Sequence, residues 1–297
     1  DGQAYVDDGA VRFRVPNEGV TAWDDVVRGR VEFENQHVED FVVRRGDGSA
    51  TFFVANAVDD LDLGITHVVR GEDLVNVTPK VLLLRKALGS NDVPVFAHLP
   101  LIVNDRRKKL SKRRDDVALE SYRGRGIVAD AMVNYLALLG WGPPDDIEVR
   151  PLAEIVELFE LTDVNASAAM FDLKKLEAIN GEYIRAMPPE EFAASISPWV
   201  NATDWGRQLS TSDLVEVAPL VQQRTRVLED AAPQLDFFFL AEPVVDQVSW
   251  DTVMSTDTAS LILTAAGRAF AESEWDVESL HAALLEIGDA HGLKLGK

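Results

Sequence analysis

The chain has 297 residues, 46% hydrophobic and 27% charged, a length for about two domains and the balance of a soluble globular protein. It has no cysteine, which excludes disulfides and thiolate zinc sites. No apolar run approaches the roughly 18 residues that span a bilayer and no signal pattern opens the chain, so a cytoplasmic protein with no membrane partner is expected. Its formal net charge of -21 speaks against general nucleic-acid binding and restricts any such contact to local basic patches.

Residues 1–50 alternate apolar and polar residues in short runs, as in Val11-Arg12-Phe13-Arg14-Val15, Val31-Glu32-Phe33 and Phe41-Val42-Val43. Turn signals at Asp7-Asp8-Gly9, Pro16-Asn17-Glu18-Gly19 and Gly46-Asp47-Gly48 separate them, and small antiparallel β structure follows. Thr51 to Asn56 reads as the entry to a helix or strand, and Thr66 to Arg70 as a buried strand. Thr78 to Leu88 has apolar residues at helical spacing, and Val95 to Pro100 is another strand, so this stretch is part of a parallel α/β sheet.

Between Asn104 and Arg114 stand seven basic residues, against the trend of the whole chain. In Lys109-Leu110-Ser111-Lys112-Arg113 two lysines lie three apart with a small Ser between them. A mobile loop of this kind can close its cations over a triphosphate and stabilise charge developing there. A solvated basic loop or a nucleic-acid patch would give the same composition.

From about Asp115 the periodicity turns helical. Helices are expected over Ile127–Leu139, Leu152–Phe159 and Asp172–Ile179, with more from 189 to 297 divided by Pro198, Pro233 and Pro243. The five histidines lie in unrelated contexts, so no structural metal is expected. Nine Lys against twenty Arg, and twenty-nine Asp against twenty-one Glu, suggest adaptation to high salt. The chain opens on Asp1 without Met and stops at Lys297 inside a helical pattern, so both edges read as cut.

Lys109 to Arg113 resembles the K-M-S-K-S signature of class I aminoacyl-tRNA synthetases, in the K-L-S-K-R form of glutamyl-tRNA synthetases. Val58-Asp59-Asp60, Gly64 to Asp73, Thr78-Pro79 and Phe96 to Ile102 stand in that family's order and spacing. Asn134 to Trp141 and Phe171 to Leu176 continue the resemblance downstream. It implies α/β plus all-α architecture. Residues 1–50 would be the remainder of an acceptor-stem-binding α+β insertion, and 51–114 the C-terminal half of a Rossmann-type catalytic domain. A helical stem-contact domain at 115–188 and a helical anticodon-binding domain at 189–297 would follow.

The resemblance also implies residue roles. Lys109 and Lys112 would act on the ATP phosphates, Asp73 would contact ATP, and Leu101 and Ile102 would hold the adenine. Phe52, Asn56 and Arg70 would bind L-glutamate, and Arg224, within Gln222-Gln223-Arg224, would read the anticodon of tRNA(Glu). Local alternatives exist: Arg70 ion-paired to Asp59, Asp60 or Glu72, Asp73 on a helix dipole, Asn56 bonded to local backbone, and Arg224 as solvated surface. Phe52 departs from a family Tyr whose hydroxyl helps orient glutamate. The H-I-G-H signature is absent and would lie before Asp1. The implied activity is ATP-dependent ligation of glutamate to tRNA through glutamyl-adenylate, with Mg²⁺ accompanying ATP and a monomer expected. An inactive tRNA-binding or structural fragment and the glutamyl-queuosine tRNA synthetase paralogue are the alternatives.

Overall fold

The strands of the first fifty residues divide between two sheets. β1 (Ala4–Asp7), β2 (Ala10–Phe13) and β5 (Phe41–Arg44) form an antiparallel sheet in the order β1-β2-β5. β3 (Val20–Asp25) and β4 (Gly29–Glu34) pair antiparallel, and β3 also runs parallel to β7 (Val95–Leu99), whose other neighbour is β6 (His67–Gly71). The mixed sheet is therefore β4-β3-β7-β6. Trp23 and Asp25, two apart on β3, both point into the protein at 2% and 3% exposure, as a strand's period of two requires. Trp23 packs there with Phe96 and Leu82.

The computed structural model describes residues 3–110, 118–242, 244–256 and 258–293, in two compact units, Asp1–Gln234 and Leu235–Lys297. In the first unit α1 (Phe52–Asp62) and α2 (Thr78–Ala87) pack together, their Ala57, Val81, Leu83 and Leu84 closing a core with Phe13 and Phe41. α2 links β6 to β7, the crossover that parallel pairing demands. β6 differs from expectation, since its residues are half-buried or exposed, with Val69 48% exposed. The reason is position: β6 ends the strand order, and β7 is its single ladder partner.

The helical region follows as α3 (Leu119–Arg125), α4 (Ala129–Ala137), α5 (Leu152–Leu158) and α6 (Leu173–Ala186). Asp172 starts α6 by accepting the amides of Lys174 and Lys175. α6 then runs past Ile179, because Ile179 and Ile184 both bury in the core. A short parallel pair, β8 (Ile102–Val103) with β9 (Ala169–Met170), ties this region to the sheet. α7 (Pro189–Asn201), α8 (Thr211–Val217), α9 (Pro219–Gln222) and α10 (Ala231–Leu235) complete the run.

Pro198 lies inside α7 and does not divide helices as the sequence suggests. Proline removes the bond to the carbonyl four residues back. The Ser197 hydroxyl takes its place, donating to the Ala194 carbonyl at 2.8 Å. Pro233 likewise falls within α10, and Pro243 lies outside the described residues.

In the second unit α11 (Gln247–Ser249) runs into a π turn at Trp250–Met254, and α12 (Ala259–Glu272) packs on α13 (Val277–Ala290). Among the described residues no helix is long and apolar enough to cross a membrane.

Candidate functional site

The carboxyl ends of β6 and β7 carry the candidate residues, which is where parallel sheets present ligand sites. Arg70 and His98 are register partners on the two strands. Arg70 donates from Nε to His98 Nε2 at 3.2 Å and from Nη2 to Thr78 Oγ1 at 2.7 Å. Its guanidinium also lies over the Phe96 ring, 5.8 Å from the centroid. The remaining nitrogen, Nη1, is buried and has no partner. Burial lowers the pKa of this guanidinium, opposed by the charges of Asp60 and Asp25, but an arginine stays charged at any ordinary pH.

Among the described residues Arg70 has no ion pair, so the local alternative of a salt bridge is not formed. Glu72 is engaged elsewhere, ion-paired with Arg28 and accepting the Leu101 amide at 3.1 Å. Phe52, Asn56 and Asp60 stand one turn apart on α1 and so share a face. Asp60 acts electrostatically on Arg70 from it. Phe52 is 50% exposed and Asn56 half-buried.

Behind Arg70 lies a group that pattern reading missed. Asp25 and His98 are both fully buried at the side chain, with Asp25 Oδ2 2.5 Å from His98 Nδ1. Asp25 also accepts the amides of Val27, Arg28 and His98 and the indole N–H of Trp23. Burial works to raise the Asp25 pKa, but the bonds from His98, the backbone and Trp23 outweigh it and hold the carboxyl below its usual range. In sequence Asp25 is one of two acids before a turn, and nothing there marks it as buried.

A cavity of about 560 Å³ opens beside the same strand ends. Asp73, Leu101, Ile102 and Lys109 all line it, the four described positions expected to handle ATP. Leu119, Tyr122, Met132, Leu136 and Phe171 supply an apolar wall from the helical region, a contribution the sequence did not reveal. Lys109 reaches this wall through a tight turn: Asn104 accepts from the Arg106 and Lys108 amides, Arg107 takes a left-handed φ of 55°, and Leu110 donates to the Ile102 carbonyl.

Lys109 Nζ donates to Asp73 Oδ2 at 2.7 Å, and this bond holds the Asp73 carboxyl below its usual range. Both side chains are about half exposed, so the pair is screened and weak. The Leu101 amide is occupied by Glu72, and its carbonyl accepts from Ala169 N at 3.0 Å. Lys112 lies outside the described residues.

Arg224 is not brought to this cavity. It sits exposed on the turn after α9, and the turn is pinned from below. Gln222 donates to the carbonyls of Ile184 and Met187, Thr225 to that of Val221, and Asn180 to that of Arg226. Buried Gln222, Thr225 and Val227 thus leave Gln223, Arg224 and Arg226 facing solvent.

Two family profiles match the chain: "tRNA synthetases class I (E and Q), catalytic domain" over residues 2–178, and "Anticodon binding domain" over residues 191–297. A glutamate–tRNA ligase of Thermobifida fusca is 52% identical over 293 residues, covering 97% of this chain and 61% of that protein. One of Frankia casuarinae is 50% identical over 291 residues, covering 97% and 62%. A crystal structure of a glutamate tRNA ligase from Elizabethkingia meningosepticum superposes with a TM-score of 0.75 at 27% identity, covering 96% of this chain and 60% of that one. The chain spans about three-fifths of the length of these relatives. The catalytic profile covers more than half of it, and the fold superposes on a glutamate tRNA ligase along nearly its whole length, so the chain belongs to the class I tRNA synthetases (E and Q).

Proposed function

We propose that this chain carries the glutamate- and ATP-handling part of a glutamate–tRNA ligase together with tRNA-reading helices. In this reading the glutamate carboxylate attacks the α-phosphorus of ATP, the bond to the β-phosphate breaks, and pyrophosphate leaves. The terminal ribose hydroxyl of tRNA then attacks the acyl carbon, loses its proton and releases AMP. Arg70 grips a carboxylate of glutamate through Nη1, with Asn56 and the Phe52 face of α1 beside it. Lys109 and Lys112 stabilise charge on the phosphates, and Mg²⁺ enters with ATP through phosphates and water.

Asp73 contacts the nucleotide, and Leu101 and Ile102 support the adenine from the cavity floor. Since the Leu101 amide and carbonyl already have partners, the apolar wall supplies most of the adenine contact. Arg224 reads an anticodon base, and we assign 1–50, 51–114, 115–188 and 189–297 to acceptor-stem, catalytic, stem-contact and anticodon parts. The observation that supports the reading best is the convergence of Asp73, Leu101, Ile102 and Lys109 on one cavity at the end of the strand that carries Arg70. The anticodon-binding match over 191–297 favours a tRNA ligase over the queuosine-directed paralogue.

Glutamate-dependent exchange of pyrophosphate into ATP tests it, measured on the full-length protein and on the 297-residue chain. Exchange that requires glutamate, and falls about 100-fold in Lys112→Ala with a smaller change in ATP KM, is expected. Exchange driven equally by another amino acid defeats the substrate assignment.

A further inference from the structure

Arg70 settles the state of His98. A guanidinium Nε–H is always a donor, so His98 Nε2, 3.2 Å away, must present a lone pair. The proton is then on Nδ1, where Asp25 Oδ2 accepts it at 2.5 Å. Asp25 is itself fixed by three backbone amides and Trp23, so the imidazole has neither a choice of tautomer nor room to turn. Thr78 closes the arrangement, accepting from Arg70 Nη2 while its own hydroxyl lies 3.1 Å from His98 Nε2 and 3.5 Å from the Leu74 carbonyl. Two of the three guanidinium nitrogens are thereby spent on the protein, and Nη1 remains.

We propose that His98, locked by Asp25 as the Nδ1–H tautomer, is a positioning residue that aims Arg70 and reserves its Nη1 for the carboxylate of the amino-acid substrate. This rests on the reading of Arg70 as the carboxylate grip. A neutral acceptor is required at this point: an imidazolium would set an N–H against the Arg70 N–H and a second positive charge beside the first. The groups facing His98 are Asp25 and Arg28 around the end of β3, Arg70 on β6 and Thr78 on α2, with Asp60 of α1 acting on Arg70 from beyond. Burial keeps the His98 pKa below the ordinary imidazole value, and Arg70 and Arg28 push the same way against Asp25. The grip is therefore intact at neutral pH and loosens on acidification, below the ordinary imidazole range.

Two substitutions separate positioning from scaffolding. His98→Asn keeps an amide N–H for Asp25 but removes the acceptor facing Arg70. His98→Gln carries an amide oxygen to that acceptor position. In the full-length protein His98→Asn is expected to raise the glutamate KM roughly tenfold with the ATP KM unchanged, the loss of one hydrogen bond to a charged group. His98→Gln should recover part of that and abolish the extra loss of glutamate affinity at acidic pH.

A merely structural histidine would show equal defects in both variants, on both substrates. Nitrogen-detected NMR of the unsubstituted chain reads the tautomer directly: a proton on Nδ1 is expected, and one on Nε2 overturns the proposal without any variant. Arg70→Gln separates the layers. If it binds glutamate as well as the parent, the carboxylate reading falls and the proposal with it. If it abolishes binding while His98→Asn does not weaken it, the proposal alone falls.

Discussion

Arg70 and Asp73 stand three residues apart at the end of one strand, and they are held in opposite ways. Arg70 rests on a buried chain of His98 and Asp25, both with no exposed side-chain surface. Asp73 meets Lys109 in a pair 47% and 57% exposed, on a turn that leads directly into the basic run. The first arrangement is built before any ligand arrives. The second is a weak contact that a phosphate can take over at small cost, since exposed pairs contribute about 0–1 kcal/mol. On the proposed reading both serve: a rigid grip for a small amino acid and a yielding one for a nucleotide whose charge changes during reaction.

Deleting one carboxylate at each end should expose the contrast most strongly. Asp25→Ala leaves the His98 Nδ1–H, the Trp23 indole N–H and three backbone amides without their acceptor, and should cost about 3 to 5 kcal/mol in a urea melt. Asp73→Ala should cost no more than about 0.5 kcal/mol in the same melt. Equal losses would dissolve the distinction.

Acid should act on the buried end in the same sense. The folded pKa of His98 lies below its ordinary value of 6.5, so the unfolded chain takes up a proton first as pH falls. Stability is full above 6.5 and declines below it, by at most about 1.4 kcal/mol per pH unit for the one proton. Asp25, held below 3.8 by its bonds to His98, the backbone and Trp23 against the opposing effect of burial, extends the loss to lower pH. Stability curves of the parent and His98→Gln between pH 7 and 5 check this: the histidine slope should vanish in the variant.

What could be read in the sequence follows the same division. Asp73, Leu101, Ile102 and Lys109 sit in contiguous motifs, and the fold brings them to one cavity. Asp25 and His98 are 73 positions apart, and their partnership arises from the parallel pairing of β3 with β7, which alternation alone does not specify. Of the apolar wall, Met132 and Leu136 fall in the helix expected over Ile127–Leu139, but nothing in the sequence says what that face covers, and Leu119 and Tyr122 precede it. Helix ends escaped where side chains intervened, as Ser197 does for the carbonyl that Pro198 frees.

Gly71 offers a subtler test. A Cβ there would stand 2.6 Å from Asp73 Oδ1, and the carboxylate, at the free end of its side chain, would turn away. Gly71→Ala should leave stability within about 0.5 kcal/mol, the usual range for a surface change. ATP KM should shift severalfold while glutamate KM holds. A shift in glutamate KM of equal size would mean that the two ends of the site are mechanically one.

The smallest effect is the coupling within the exposed pair, and salt makes it informative. A double-mutant cycle on Asp73→Ala and Lys109→Ala should give about 0.5 kcal/mol or less in 0.1 M KCl. It should give nothing measurable in 1 M KCl, where the screening length falls from about 10 Å to about 3 Å. The Asp25–His98 cycle, shielded from solvent, should be unchanged by the same salt. Over this range the whole chain, at net charge -21, should become more stable as repulsion among its acids is screened. The exposed pair would then weaken while the molecule around it gains. A coupling at Asp73–Lys109 that survives 1 M KCl would show that this contact is shielded like the buried one and does not yield to a phosphate.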